Sequence, residues 1–528
     1  MIQRKYCPVC NAVAVLEKEF SCFGIHSKTY TCGHTVADKQ LSATAFDDFT
    51  RTDGKRAYRF QSEGAKFATN SNGRFLIADA MGLGKSGQFL MFWKVNYDSL
   101  GKCLFVVKSG LKIQWFKEIL TWCGNDWFTQ VLDKEDEFII PNVKGYIVSF
   151  DILRRFKDIN AWVKRLGINV VCLDEIQHIK NTESKRTNSV RMVCKNVDYI
   201  GALSGTPIKN HAGEYFPILQ IIQPDKFRTQ AGFEQRWVDS YWDGYKMKHG
   251  GLKNSAAFKD YTKDFIIRRT REEVLPDLPV ISRNYAFSEL GPVVEDAYKK
   301  ELEAFQNYYN YGGMEDTAFV RSSNILSYIT RMRHLTGMAK IQPVVDFVKE
   351  FIRDTDRKIV IFLHHKDVAK TLLSLLQTEL ANPDNGDFWG AEILALSADL
   401  DSTARAEVVD KFHKPEYRIM IGSTLASGEG LNLQCCSDCI MMERQWNPAN
   451  EEQAECRFIR IGQLADKVTA TYTIAVGTVD EFFSEIVERK RGISANTLDN
   501  VEYKWEESSL MKELAEVLAV QGGKRWGL

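Results

Sequence analysis

The chain has 528 residues, enough for about three or four domains of ordinary size, and its 44% hydrophobic content fits folded cores and argues against general disorder. No segment approaches about 18 uninterrupted apolar residues, so no membrane span is expected. The 69 basic and 69 acidic residues cancel, which removes any overall basic bias toward nucleic acid but leaves room for a local basic groove. The start, Met1-Ile2-Gln3-Arg4-Lys5-Tyr6-Cys7, lacks a secretory apolar stretch, and 12 cysteines are too few for a disulfide scaffold of this length. The expectation is a soluble intracellular protein: cytoplasmic in a bacterial or phage-infected cell, nuclear in a nucleated one.

Residues 1–41 come first and differ from the rest. Cys7-Pro8-Val9-Cys10 is followed by Cys22 and then by Cys32-Gly33-His34. Two pairs of soft ligands in a segment too short for its own core point to a structural Zn²⁺ on Cys7, Cys10, Cys32 and His34, with Cys22 in reserve. The plainer alternative is free thiols with a chance Cys-x-x-Cys. Four protein ligands would close the site to catalysis. Such a module would recruit DNA or a protein partner of replication or transcription.

From about 55, short apolar runs alternate with amphipathic stretches. Phe75–Asp79, Cys103–Val107, Tyr146–Phe150 and Val170–Asp174 read as buried strands, and Leu111–Cys123 and Ile152–Leu166 as helices. This alternation predicts an α/β fold with parallel sheets. Residues 211–355 are mainly helical in pattern, for example Val293–Tyr311 and Ile325–Ile352. Alternation returns at Lys358–Leu363, Glu392–Leu396, Tyr417–Ile421 and Cys439–Met442. Cys435, Cys436 and Cys439 flank the last of these, where burial explains them better than a metal does.

The strongest chemical signal is Asp79-Ala80-Met81-Gly82-Leu83-Gly84-Lys85-Ser86 directly after a strand. A glycine-rich loop opening a helix brings backbone N–H groups onto phosphate oxygens, with Lys85 reaching the β/γ-phosphates and Ser86 holding Mg²⁺. Asp174-Glu175 ends the run Val170-Val171-Cys172-Leu173. Beside the loop, Asp174 suits the metal shell, and Glu175 suits orienting or deprotonating the attacking water. Alone, the pair reads better as two solvated carboxylates at a strand end; beside the loop, the functional reading prevails.

Together these motifs resemble the Swi/Snf-type branch of helicase superfamily two. The chain has Asp174-Glu175-Ile176-Gln177-His178-Ile179-Lys180-Asn181 where that family has a sequence close to Asp-Glu-Ala-His-Arg-Ile-Lys-Asn. Leu203-Ser204-Gly205-Thr206-Pro207 resembles its Leu-Thr-Gly-Thr-Pro motif. The family's phosphate loop, Asp-Glu-Met-Gly-Leu-Gly-Lys-Thr, accounts for Asp79 where a glycine is usual. Phe60-Gln61 matches the adenine-recognising position, Arg268-Arg269-Thr270 the link out of the first lobe, and Phe362-Leu363-His364-His365 the entry to the second. Ser423–Leu433, which includes Thr424 and Gly430, and then Trp446-Asn447-Pro448 and Gln453–Gln463 complete the order. Gln177 replaces the usual His, Ala80 a Glu, and Cys456 a frequent Gly.

The resemblance covers roughly 55–495 and implies two RecA-like lobes with helical protrusions. The expected boundaries are 1–41 zinc module, 42–280 first lobe with a helical insertion from about 211, 281–355 protrusion and linker, 356–500 second lobe, and 501–528 helical tail. It implies ATP on Gln61, Met81, Gly82, Leu83, Gly84, Lys85, Ser86 and Gln453, with Mg²⁺ on Ser86 and Asp174. Gln177, Ser204, Thr206 and Gly430 would couple the ATP site to the rest of the motor. Ser109, Trp115, Ser149 and Thr424 would contact DNA. A helix from near Ala449 would carry Gln453, Arg457 and Arg460 on one face, as arginine fingers closing on the γ-phosphate. The implied activity is DNA-stimulated ATP hydrolysis with translocation on double-stranded DNA. The alternatives are a strand-separating DNA or RNA helicase, or a zinc-module adaptor with vestigial ATPase.

Overall fold

The computed structural model describes residues 5–6, 13–14, 16–22, 25–30, 35–39 and 46–521, except 180, 206, 208–211, 243–246, 276–278, 280, 313–317, 382–391, 398–399, 425–430, 447, 461 and 498–506. Two all-parallel sheets organise it. The first runs Ile266–Ile267, Arg74–Ile77, Tyr199–Leu203, Ile168–Leu173, Lys102–Val107, Gly145–Ser149, Thr129–Val131 from edge to edge. The second runs Ile281–Ser288, Val468–Ala475, Asp438–Met441, Ile359–Leu363, Ile419–Ser423, Ile393–Leu396. Each forms the centre of one lobe.

The central strands read as continuous apolar runs because both faces are covered. Successive side chains point to opposite faces. Leu104, Val106, Val171 and Leu173 therefore enter one core of the first lobe, and Cys103, Phe105, Val170 and Cys172 enter the other. The second lobe repeats this, with Val360 and Phe362 on one face and Ile359, Ile361 and Leu363 on the other.

Three expectations change. The stretch 281–355 is not all protrusion and linker, since Ile281–Ser288 is the edge strand of the second sheet, in register with Val468–Ala475. Its partly exposed sequence, Ile-Ser-Arg-Asn-Tyr-Ala-Phe-Ser, lacks the apolar run that marks the inner strands. The segment 152–166 holds two helices, Phe150–Leu153 and Ile159–Leu166, because the Asp158 carboxylate caps the second by accepting from Ala161 N at 2.9 Å. The segment 325–352 is also broken, at Lys340, which is buried in an ion pair with Asp480.

The tail helix Glu507–Gln521 buries Leu514, Ala515 and Leu518 with Leu302, Phe305 and Phe483. Among the described residues no helix is long and apolar enough to cross a membrane.

Near the N-terminus, Lys5–Tyr6 pairs antiparallel with Val13–Ala14, and Leu16–Cys22, Ile25–Tyr30 and Thr35–Lys39 form a three-stranded antiparallel sheet. Cys7, Cys10, Cys32 and His34 lie outside the described residues. Among the described residues no cluster of three or more His, Cys, Asp or Glu could hold a metal. Burial pushes the thiols of Cys435, Cys436 and Cys439 up, as for small core residues.

Candidate nucleotide site between the lobes

The carboxyl ends of three adjacent strands of the first sheet converge, the usual place for a ligand on an open parallel sheet. Arg74–Ile77 leads into the phosphate loop, Ile168–Leu173 into Asp174-Glu175, and Tyr199–Leu203 into Ser204-Gly205. The loop turns through Gly82 at φ 89° and Gly84 at φ 67°, both left-handed, and Gly84 caps the helix Lys85–Val95. Only residues without a Cβ hold such angles cheaply. Met81 packs on Gly205, where an added Cβ would come within 2.6 Å of the Met81 Cγ and 3.4 Å of the Lys85 Nζ. Leu83 is buried beneath.

Lys85 Nζ donates to the carbonyls of Asp79 (2.9 Å) and Ala80 (3.2 Å). Burial pulls its ammonium below the ordinary value, against the opposing pull of Glu175, Asp79 and Asp174. Ser86 makes no side-chain hydrogen bond among the described residues, which leaves its hydroxyl available to a cation. The buried Gln61 accepts from Tyr58 N at 3.0 Å, so its amide is fixed with the Nε2 donors unspent on that bond.

Glu175 sits at φ 50°, a left-handed angle rare for a side-chain-bearing residue and common at functional sites. Burial raises the Asp174 carboxyl, the Glu175 charge raises it further, and a hydrogen bond from Trp115 opposes both. For Glu175 burial also acts upward, but Lys85, the Gln177 amide and Arg457 outweigh it and hold the carboxyl below the ordinary range. The pair thus has unlike tendencies from one environment. Gln177 Nε2 donates to Glu175, and Gln177 Oε1 accepts from Ser204 Oγ at 2.6 Å. An amide therefore joins the two strand ends where the family has a His. Thr206 and Gly430 lie outside the described residues.

The second lobe closes over this surface. A Cβ on Gly82 would lie 2.7 Å from the Ile459 carbonyl oxygen and 3.7 Å from Arg460 Cγ. Burial and the Arg457 guanidinium pull Arg460 downward, against Glu118 and Glu175 of the first lobe. Arg457 is buried and acts in turn on Glu175.

The single helical face expected for Gln453, Arg457 and Arg460 does not form. The helix Pro448–Glu455 carries Gln453 only, and the next turns tighten, with Arg457 N donating to Ala454 O (3.0 Å) and Arg460 N to Phe458 O (3.1 Å). Two buried carboxylates bolt this helix down. Glu451 pairs with Arg444 (2.8 Å), and Glu455 pairs with Arg283 (2.6 Å) while accepting from Tyr472 Oη (2.6 Å).

The expected DNA contacts fare differently. Ser109 is exposed at the start of a short helical turn. Trp115 is 3% exposed, packs on Phe105, and donates Nε1–H to Asp174 at 2.8 Å, so it supports a carboxylate and presents no surface. Ser149 is fully buried and caps a helix by accepting from Ile152 N. Thr424 is fully buried and donates to the Leu363 carbonyl at 3.4 Å. Small hydroxyls at strand ends serve as caps as readily as phosphate ligands, and the side chains of Ser149 and Thr424 are spent on such local bonds here.

Sequence reasoning assigned no role to Asp79, Arg269 or Glu118. Asp79 and Arg269 form a buried pair at 2.5 Å beneath the phosphate loop, and Glu118 acts electrostatically on Arg460. The signal for the first was the Asp at a position where a glycine is usual.

A model of the SNF2-related domain matches residues 60–339, and one of the helicase conserved C-terminal domain matches 340–462. The mouse protein named DNA annealing helicase and endonuclease ZRANB3 is 27% identical over 485 residues, covering 87% of this chain and 43% of that protein. A Caenorhabditis elegans homologue of SWI/SNF-related matrix-associated actin-dependent regulator of chromatin subfamily A-like protein 1 is 27% identical over 445 residues, 83% of this chain and 61% of the relative. An ATP-dependent helicase of Mycoplasma genitalium is 27% identical over 481 residues, 83% of this chain and 42% of the relative. The chain thus spans between two fifths and three fifths of the relatives it matches. With its first model covering more than half of the sequence, the chain belongs to the SNF2-related family of helicase-like ATPases.

Proposed function

We propose that the protein hydrolyses ATP between its lobes and uses the cycle to translocate along double-stranded DNA, clearing or remodelling protein–DNA complexes, forks or annealing strands. The observation that carries this reading is the seating of the Ile459–Arg460 backbone on Gly82 of the phosphate loop. Hydrolysis then depends on both lobes at once, so anything spanning the lobes can govern it.

In this reading the backbone of Gly82 to Lys85 cradles the phosphates, Lys85 leaves its carbonyl partners for them, and Gln61 and Gln453 bind the nucleotide beside the loop. Ser86 and Asp174 would hold Mg²⁺, which when bound neutralises phosphate charge. Trp115 fixes the orientation of Asp174. Glu175, held below the ordinary carboxylate range, accepts the proton of the attacking water. The water oxygen bonds to the γ-phosphorus as the bond to ADP breaks. Arg457 and Arg460 offset charge spreading onto the γ-oxygens. Gln177 reports the state of Glu175 to Ser204. Gly430 and Thr206 extend that coupling, and Ser109 meets the DNA backbone. We infer the domain boundaries given above, with the second lobe enlarged by Ile281–Ser288, and a cytoplasmic or, in a nucleated cell, nuclear location.

We further infer one structural Zn²⁺ in residues 1–41. In the sequence Cys7 with Cys10, and Cys32 with His34, each fall between strands that pair antiparallel, and two such Cys/His pairs at short spacing suit a structural zinc. A replication or transcription protein is the proposed partner of that module.

The test is ATPase rate with and without duplex DNA, alongside displacement of a third strand from a triplex. Stimulation with third-strand displacement and no separation of a tailed duplex is expected. Strand separation would favour the helicase alternative, and no hydrolysis would favour the adaptor.

A further inference from the structure

Arg269 is a nearly buried cation that the hydrolytic scheme leaves without a task. Its side chain is 13% exposed, and Asp79 is fully buried. Arg269 Nε and Nη2 donate to the two Asp79 oxygens at 3.1 and 2.5 Å, and Arg269 N donates to Asp79 Oδ1 at 3.0 Å. Nη2 also reaches Gln88 Oε1 at 3.0 Å, and Nη1 reaches the Phe60 carbonyl at 2.6 Å. Gln88 Nε2 closes the ring on Asp79 at 3.0 Å. One guanidinium thus joins the first residue of the phosphate loop, the helix after it, and the residue before Gln61.

The backbone follows the same path. Ala80 N donates to Arg269 O at 2.9 Å, and the Asp79 and Ala80 carbonyls that receive Lys85 belong to the same held segment. Two residues on, Arg271 Nη2 donates to Cys456 Sγ at 3.0 Å, in the second lobe and directly before Arg457. Thr270 fixes the spacing between the two arginines, its hydroxyl accepting from Glu273 N and its N–H donating to Glu273. A buried ion pair adds little net stability over an apolar pair of similar volume, so its value here lies in fixing one arrangement. The planar fork can hold Asp79 from two sides, and an ammonium cannot.

We propose that Arg269 is a positioning residue that sets the nucleotide affinity of the phosphate loop, and that residues 269–271 form a strap transmitting lobe closure to it through Arg271 and Cys456. The proposal rests on the function proposed above, in which duplex DNA spans both lobes and, by doing so, favours their closure.

The experiment titrates Mg-ADP, with and without saturating duplex DNA, into wild type, Arg269→Lys, Asp79→Asn and Arg271→Ala, with melting temperature and the split of KM against kcat for ATP read in parallel. Arg269→Lys and Asp79→Asn should weaken Mg-ADP without DNA by roughly ten- to a hundredfold, the scale of a lost charge-assisted hydrogen bond, and raise KM more than they lower kcat. Arg271→Ala should bind Mg-ADP like wild type without DNA and lose the change that DNA produces. Lower melting temperatures with unchanged Mg-ADP affinity would overturn the proposal, making the pair a packing feature. Should Arg269→Lys and Asp79→Asn fail to fold, intact DNA coupling in Arg271→Ala would overturn it. If DNA does not change wild-type affinity, the closure reading fails instead, while the comparison without DNA still decides the role of Arg269.

Discussion

Gly82 and Ile459 belong to opposite lobes, yet a methyl group on Gly82 would stand 2.7 Å from the Ile459 carbonyl oxygen. The glycine is needed twice, for its φ of 89° and for this approach. Gly82→Ala should cost roughly 1–2 kcal/mol of local backbone strain and also prevent full closure. DNA-stimulated ATPase should fall by about tenfold or more, since each 1.4 kcal/mol of barrier is tenfold in rate. The melting temperature should fall by only a few degrees, as that strain requires. Steady-state rates against DNA concentration check this, and unchanged stimulation would show that the lobes do not close here during turnover.

Glu175→Gln should keep Mg-ATP binding and lose hydrolysis, because the cradle is intact while the proton acceptor is gone. Gln177→Ala should lower turnover by a smaller factor, about five- to thirtyfold for a lost buried hydrogen bond network of roughly 1–2 kcal/mol. Single-turnover hydrolysis beside equilibrium nucleotide binding separates the two. Normal turnover in Glu175→Gln would remove it as the base.

Arg460→Ala should leave nucleotide binding without DNA nearly intact and remove most of the DNA stimulation, an effect that can reach roughly 10³-fold for arginine fingers. Arg460→Lys should rescue poorly for want of a planar fork. Arg457→Ala should behave similarly. Full stimulation in Arg460→Ala would mean that other groups meet the γ-phosphate.

Much of this site was legible because phosphate chemistry constrains local sequence. The loop, Asp174-Glu175 and the Gln177–Ser204 bridge sit on strand ends that apolar runs announce. Ile281–Ser288 was not legible, since a partly exposed edge strand resembles any amphipathic stretch. Nor was the end of the helix at Glu455, because Glu455 is held by Arg283, which lies far away in the sequence. The side-chain bonds of Trp115 to Asp174, of Ser149 to Ile152 N and of Thr424 to the Leu363 carbonyl were not legible either, because each partner is set by the fold.

Arg444 and Glu451 are both fully buried and joined at 2.8 Å, below the helix that precedes the fingers. Arg444→Leu leaves Glu451 charged in the core and should destabilise the fold by about 3–5 kcal/mol. Joining it to Glu451→Leu should recover most of that loss. Urea unfolding of the single and double variants measures both, and a single variant as stable as wild type would mean that the carboxylate finds water.

Metal analysis of the purified protein should give one zinc per chain. Cys7→Ser with Cys10→Ser should lose it while ATPase without DNA persists, since the lobe cores draw on other residues. Zinc retained in that variant would point to other ligands.

The backbone passes from one sheet to the other once, between Ile267 and Ile281, so each sheet is assembled from an unbroken stretch of sequence. Two polypeptides divided in that interval would each contain a complete sheet. Mixed in solution, they would turn an intramolecular encounter into a bimolecular one. Hydrolysis would then scale with the product of the two concentrations, and a long DNA molecule binding both would act as a template that restores their local abundance.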